Sequence, residues 1–261
     1  MSYTVNASIL LTDLPVNERP AAAKAAGFDA VEFWWPFSSA VPAQQDVDSF
    51  VAAIQDAGVQ LTGLNFFAGD MPAGDRGLVS WIGREGEFRD NVEVVVGIGE
   101  RTGTKAFNAL YGLRQDGADA QTQDDLAVEN LAIAGKAVAR IGGVVLLEPV
   151  SGADSYPLKT AADALAIIER VKNEHGVDNV KLLADYYHLA VNGDDVAAVI
   201  AEHAADFGHI QIADAPGRGE PGTGDLPIAE WIDAARVRGY TGYVGLEYMA
   251  TQDDPFAWSK N

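Results

Sequence analysis

The chain has 261 residues, no cysteine, and 38 acidic against 18 basic residues, a formal net charge of −20. That balance argues against nucleic acid and anionic membrane as partners, since both call for basic patches. The missing cysteines exclude disulfides, thiolate metal sites and a cysteine nucleophile, so any metal would need carboxylate, amide or imidazole donors, a set that favours Mg2+ or Mn2+.

The opening stretch MSYTVNASILLTDLP has no basic n-region and no long apolar run, so no signal peptide is read there. No segment reaches the ~18 apolar residues of a membrane span, and a cytoplasmic protein is the expectation. Strands are predicted over Tyr3–Ile9, Asp29–Trp34, Val59–Phe66, Lys105–Leu110, Val144–Glu148, Lys181–Asp185, His209–Ile212 and Tyr243–Glu247. Most are apolar on both faces, the pattern of parallel strands covered by helices. Val196, Val199, Ile200 and His203 share one helix face, as do Ile228, Trp231, Ile232 and Ala235. AGFDA, AGVQL and RGYTGY place glycine after a helix and before a strand, a C-cap signal. The longest irregular stretch is Ala68–Arg84, after the third strand.

About eight β-α units at ~30-residue spacing predict a single (β/α)8 TIM-barrel domain over residues 1–261. An open doubly wound sheet satisfies the same alternation. In a barrel, chemistry sits where strands end. The second strand closes with Glu32. The fifth to eighth carry Glu148, Asp185, Gln211 and Glu247 at comparable depth. Singly, a strand-end carboxylate reads as a salt-bridge or surface residue. Three converging carboxylates would repel and be costly to bury, and a divalent cation held by them and the glutamine oxygen resolves this. The reading depends on register, because a slip of one residue turns a ligand toward the helices.

His188, three residues past Asp185, is read as a substrate-oxygen contact. His203 and His209 are read as packing residues, and His175 as exposed. Gly217-Arg-Gly-Glu-Pro-Gly222 is a literal G-x-G-x-x-G, but it follows the seventh strand and contains Pro221. Asp225-Leu-Pro227 also separates it from the next helix, so a nucleotide fingerprint is not supported. It reads instead as a lip over the site. Arg218 on that lip and Arg76 in the third loop are candidates to grip a small anionic or polyhydroxylated substrate. Trp34 is placed in the pocket. Trp35 is left between pocket and subunit contact, with a homo-oligomer open.

The segments EPVSGAD, ADYYH, HIQIADAPGRGEPGTGD and GYVGLEY resemble the hydroxypyruvate isomerase family, within the xylose-isomerase-like TIM-barrel group of sugar isomerases and epimerases. AAGFDAVEFWWPF, GDMPAGDRGL, FRDNV and LAVENL extend the resemblance over nearly the whole chain. It implies Glu148, Asp185, Gln211 and Glu247 as metal positions, Glu148 and Glu247 also as proton donor and acceptor, and His188 and Arg218 as substrate contacts. The chain departs from the family after the fifth strand, with Ser151 where asparagine is common, Ala153 near a usual basic residue, and a shorter loop.

The expected activity is a metal-dependent aldose–ketose type isomerisation of hydroxypyruvate and 2-hydroxy-3-oxopropanoate, through an enediolate. The near alternatives are 2-oxo-tetronate isomerisation and ketose 3-epimerisation. An endonuclease of this barrel group would need a histidine-rich multi-metal site, against four histidines here. A non-enzymatic sugar-binding barrel is the remaining alternative.

Overall fold

The computed structural model describes residues 2–260. Eight short strands alternate with helices: β1 Tyr3–Asn6, β2 Ala30–Phe33, β3 Gln60–Asn65, β4 Ala106–Asn108, β5 Val144–Leu147, β6 Val180–Asp185, β7 Phe207–Ile212 and β8 Val244–Leu246. The helices are α1 Arg19–Ala25, α2 Gln44–Ala57, α3 Glu85–Thr102, α4 Ala120–Ala139, α5 Ala161–His175, α6 Tyr186–Val191, α7 Val196–His203 and α8 Ile228–Val237. Every ladder is parallel, and the pairs Tyr3↔Val244, Thr4↔Gly245 and Val5↔Leu246 join β1 to β8, so the sheet closes into a barrel rather than staying open.

The strands form here because they can be covered on both faces. Val31, Leu61, Phe107, Val145, Leu182, Ile210 and Val244 are fully buried, each side chain of this kind contributing about 1.5–3 kcal/mol on burial. Helix ends follow local chemistry. Thr160 and Asp163 make a capping box on α5, and Asp119 and Asp195 cap α4 and α7. Gly27, Gly58 and Gly239 sit past helix ends with φ of 99°, 64° and 95°, as the C-cap signal predicts. Val196, Val199 and Ile200 are buried, whereas His203 is only half-buried, beside Glu202 and Asp206, so it packs less fully than its assignment to that face implied. His175 is exposed.

Several strand limits differ from expectation for local reasons. β1 stops at Asn6 because Ile9 and Leu10 N–H groups turn back onto the Asn6 carbonyl, while Asn6 Oδ1 accepts from Ser8 N. β7 begins at Phe207, two residues early, so His209 and Gln211 share the face that looks into the barrel. An extra residue shifts the pairing twice: Thr62 between the pairs Val31↔Leu61 and Glu32↔Gly63, and Gly208 between Leu182↔Phe207 and Leu183↔His209. β5 and β8 end at Leu147 and Leu246, so Glu148 and Glu247 are the first residues beyond their strands. Segment 68–84 holds one 3-10 turn, Met71–Ala73, and is tied down by a bridge between Gly77 and Tyr111. Among the described residues, no helix is long and apolar enough to cross a membrane.

Candidate active site

The strand tips carry polar groups that are largely buried. Glu148, Asp185, His188, Gln211 and Glu247 are each 5% exposed or less. Asp185 ends β6 and caps α6: its Oδ1 accepts from the N–H groups of Tyr187 and His188 at 2.8 and 3.1 Å. That bond fixes the carboxylate and sets His188 one turn above it. Glu148 Oε2 accepts from Asn108 Nδ2 at 2.7 Å. Glu148 Oε1 and Asp185 Oδ2 each lie 3.8 Å from His188 Nε2.

The ring orientation of His188 is set from its other side. Ser151 N–H donates to Nδ1 at 3.1 Å, with Ser151 Oγ at 2.7 Å. A ring that accepts at Nδ1 carries its proton on Nε2, so His188 presents an N–H toward the two carboxylates. Burial lowers its pKa to about 4, with the charge of Asp185 opposing, so it is neutral at pH 7.

Glu247 stands apart from this cluster. Arg218 Nη2 donates to its Oε1 at 2.9 Å, and Asn6 Nδ2 to its Oε2 at 2.9 Å. Arg218 lies over the Tyr187 ring, 5.4 Å from its centre. Burial, then the neighbouring charge of Asp185, raises Glu148 to about 8. Burial likewise holds Glu247 well above the ordinary carboxylate range, although Arg218 pulls it down.

A divalent cation fits this set. Glu148, Asp185 and His188 offer ligand atoms that all lie within 4.8 Å of one another. Asp185 Oδ2 and Gln211 Oε1, like Asn108 Oδ1 beside Glu148, are buried with no hydrogen-bond partner. Leaving a buried acceptor unpaired costs about 1–3 kcal/mol; Asp185 and Gln211 are paired neighbours on β6 and β7, and a cation at the Asp185 carboxylate would relieve that cost there. With its proton on Nε2, His188 would donate a hydrogen bond there rather than ligate, leaving the two carboxylates as the ligands of that group.

The remaining sequence candidates fall round one cavity of about 1430 Å3. Arg218, Arg76, Trp34 and Trp35 all line it, so Trp35 belongs to the pocket wall. Arg76 Nη1 donates to the carbonyls of Met71 and Asp75 at 3.0 and 2.7 Å. The glycine stretch is a loop folded around Asp214, whose carboxylate accepts from the N–H groups of Ala215, Gly222 and Leu226. Glu220 ties it to Thr251 and Gln252. Since α8 begins only at Ile228, no helix N-terminus follows the glycines to receive a phosphate.

His209 is buried, as a packing residue would be, but it is also hydrogen-bonded to Glu32 at 2.6 Å. Sequence reasoning passed over Asn6 and Asn108, and met Ser151 only as a departure from the family pattern, not as the partner of His188. The signal for the two asparagines was the one that singled out Gln211: an amide in or ending a short apolar strand.

Fold and site together define a TIM-barrel enzyme with a cation-ready cluster at the C-terminal strand tips. A family model described as xylose isomerase-like TIM barrel matches residues 20–261. A Streptomyces coelicolor protein named "Putative hydroxypyruvate isomerase" is 51% identical over 98% of this chain and 93% of its own. A 2-oxo-tetronate isomerase of Cupriavidus necator is 33% identical over 94% and 92%. A crystal structure of an AP endonuclease, family 2, from Brucella melitensis superposes with TM-score 0.89 at 28% identity, covering 99% of this chain and 98% of that one. The chain belongs to the xylose isomerase-like TIM-barrel family, and it is an isomerase.

Proposed function

We propose that the enzyme interconverts hydroxypyruvate and 2-hydroxy-3-oxopropanoate, moving a carbonyl between adjacent carbons of a short 2-oxo acid. The observation that carries this is the pair Glu148 and Glu247: two buried carboxyls, three strands apart round the barrel, both lining the same cavity and both raised above the ordinary carboxylate range by burial. Groups of that kind take and return a C–H proton near neutral pH. The names of the Streptomyces and Cupriavidus relatives support the substrate class.

Glu148, Asp185, Gln211 and Glu247 would hold Mg2+ or Mn2+, which supplies Lewis-acid polarisation of the substrate carbonyl. The protein's own groups do the rest. One glutamate removes a proton from the hydroxyl-bearing carbon next to the carbonyl, and the electron pair of that C–H bond passes into an enediolate. His188 Nε2–H and the Arg218 guanidinium donate to the oxygens on which negative charge develops. Proton return at the adjacent carbon completes isomerisation, whereas return to the same carbon from the other face would be epimerisation. Arg76, which lines the same cavity and has no carboxylate bonded to its guanidinium among the described residues, is assigned to an anionic group of the substrate.

The cavity favours a second reading alongside the first. About 1430 Å3 is more than the ~300 Å3 at which small-molecule pockets begin, so a four-carbon oxo acid such as 2-oxo-tetronate fits as readily. A nuclease reading is disfavoured by the net charge of −20, since DNA binding rests on basic surface. Incubation of Mn2+- or Mg2+-loaded protein with short 2-oxo acids and ketoses in D2O, followed by proton NMR, tests the proposal. Deuterium should enter at the carbon next to the carbonyl of the true substrate, and retention of protium in every 2-oxo acid overturns the reading.

A further inference from the structure

We propose that Glu32 is a positioning residue that fixes which end of the Gln211 amide faces the cation. The proposal rests on the reading of Gln211 as a cation ligand. It begins with how Glu32 is held. Glu32 Oε1 accepts from Gln211 Nε2 at 2.7 Å and from Asn6 Nδ2 at 3.2 Å, and Oε2 bonds His209 Nε2 at 2.6 Å. Its two oxygens take three bonds from side chains on β1 and β7, and Glu32 is not among the carboxylates that cluster with His188. Glu32 is 3% exposed.

The reach from β2 to β7 depends on two missing side chains. A Cβ on Gly245, in β8 between them, would lie 2.6 Å from Glu32 Oε1 and 2.8 Å from Gln211 Cγ. A Cβ on Gly63 would press on Glu32 Cβ at 3.3 Å. The register shift that sets Glu32 opposite Gly63 rather than Thr62 therefore clears the space for this carboxylate.

A primary amide has a donor end and an acceptor end of nearly equal size, and nothing in its own shape prefers one orientation. A carboxylate can only accept. Glu32 therefore demands Nε2, and Oε1 must point the other way, where it is buried without a partner. Without the carboxylate the amide is free to turn its N–H groups toward the ion, which repel it. Asn6 extends the arrangement: the same Nδ2 that donates to Glu32 donates to Glu247 Oε2. One carboxylate that never touches the ion thus orders two groups that would.

The test is Mn2+ titration of metal-free protein by calorimetry and electron paramagnetic resonance, for wild type, Glu32→Gln, Gln211→Ala and the double variant. Glu32→Gln keeps the volume but can present N–H to Gln211, and it should weaken Mn2+ about 10–100-fold. Gln211→Ala should weaken Mn2+ comparably, and the double variant should be no weaker than Gln211→Ala alone. Equal Mn2+ affinity in wild type and Glu32→Gln, or losses that add in full, overturns the inference while leaving the metal reading intact. Wild-type protein that binds no Mn2+ overturns the metal reading and this inference with it. Should Glu32→Gln fail to fold, a Mn2+-bound crystal structure of the unmodified chain decides. Gln211 Oε1 on the ion with Nε2 still on Glu32 is the expected result, and a Glu32 oxygen on the ion overturns the proposal.

Discussion

Arg218 reaches Glu247 Oε1 at 2.9 Å from a backbone turned to φ +58°, a conformation that side chains other than glycine seldom adopt. The left-handed backbone costs about 1–2 kcal/mol, and the lip sustains it through Met249 N–H on the Arg218 carbonyl at 2.7 Å and through the Glu220 bonds to Thr251. Arg218→Ala should lower kcat/KM about 100–1000-fold, with Arg218→Lys recovering little because a lysine lacks the guanidinium fork. Arg218→Gly should be more stable than Arg218→Ala by about 1 kcal/mol. Steady-state kinetics and thermal melts check both statements.

If Glu148 and Glu247 carry the protons, Glu148→Gln and Glu247→Gln should each reduce solvent deuterium incorporation by about 100–10,000-fold. Circular dichroism should show unchanged secondary structure, since an amide fills the same volume. Full exchange in either variant removes that residue from the proton path.

The raised carboxyls make cation binding a competition with protons. Glu148, held at about 8, is largely protonated at pH 6 and must lose its proton to bind an ion. Mn2+ affinity should therefore rise from pH 6 to pH 8, by up to about tenfold per unit for one proton released, and level off above. Calorimetry in buffers of different ionisation enthalpy counts the proton. Stability follows the same sign. A carboxyl raised above its usual 4.5 binds more protons folded than unfolded, so metal-free protein should lose stability as pH rises from 4.5 through about 8. His188, lowered from 6.5 to about 4, acts oppositely below pH 6.5, where the unfolded chain takes up the proton. Between pH 6.5 and 8 only the carboxyl effect operates. The metal-free Tm should fall there, and Mn2+ should reverse the fall.

Gly245→Ala adds a single methyl, 2.6 Å from Glu32 Oε1. It should weaken Mn2+ and lower the Tm together, because the carboxylate cannot move without giving up His209 or Gln211. Wild-type Mn2+ affinity in Gly245→Ala would show that the carboxylate has room to spare.

Arg76→Ala should raise KM with little change in kcat, the pattern of a contact made equally in ground and transition states. If the cavity takes a four-carbon acid, the rise should be greater for that substrate than for hydroxypyruvate. Equal KM values in Arg76→Ala and wild type for both acids would take Arg76 out of the substrate site.

Much of this was legible in one dimension because parallel strands buried on both faces leave an unmistakable apolar record, and because glycine and capping residues mark where helices stop and start. Glu148, Asp185, Gln211 and Glu247 could be singled out since each interrupts or ends an apolar strand, where a polar group requires a reason. Glu32 was seen in the same way, but its partners were not. Asn6, His209 and Gln211 lie 26, 177 and 179 positions from it, and no spacing rule links them. His188 was legible as a substrate contact, but the nitrogen that carries its proton was hidden, as it depends on Ser151, 37 residues away.

By itself, then, the sequence determined the alternation of strand and helix, the depth at which polar groups sit along each strand, and the oxygen-rich chemistry left to a chain without cysteine. Those are properties of neighbours in the chain, set by periodicity and composition. Tertiary structure alone decided that β8 closes on β1, that an extra residue in β3 brings Glu32 opposite a glycine, and that this carboxylate meets Gln211 across the barrel. Those depend on barrel closure and register, which are fixed by packing the whole chain at once.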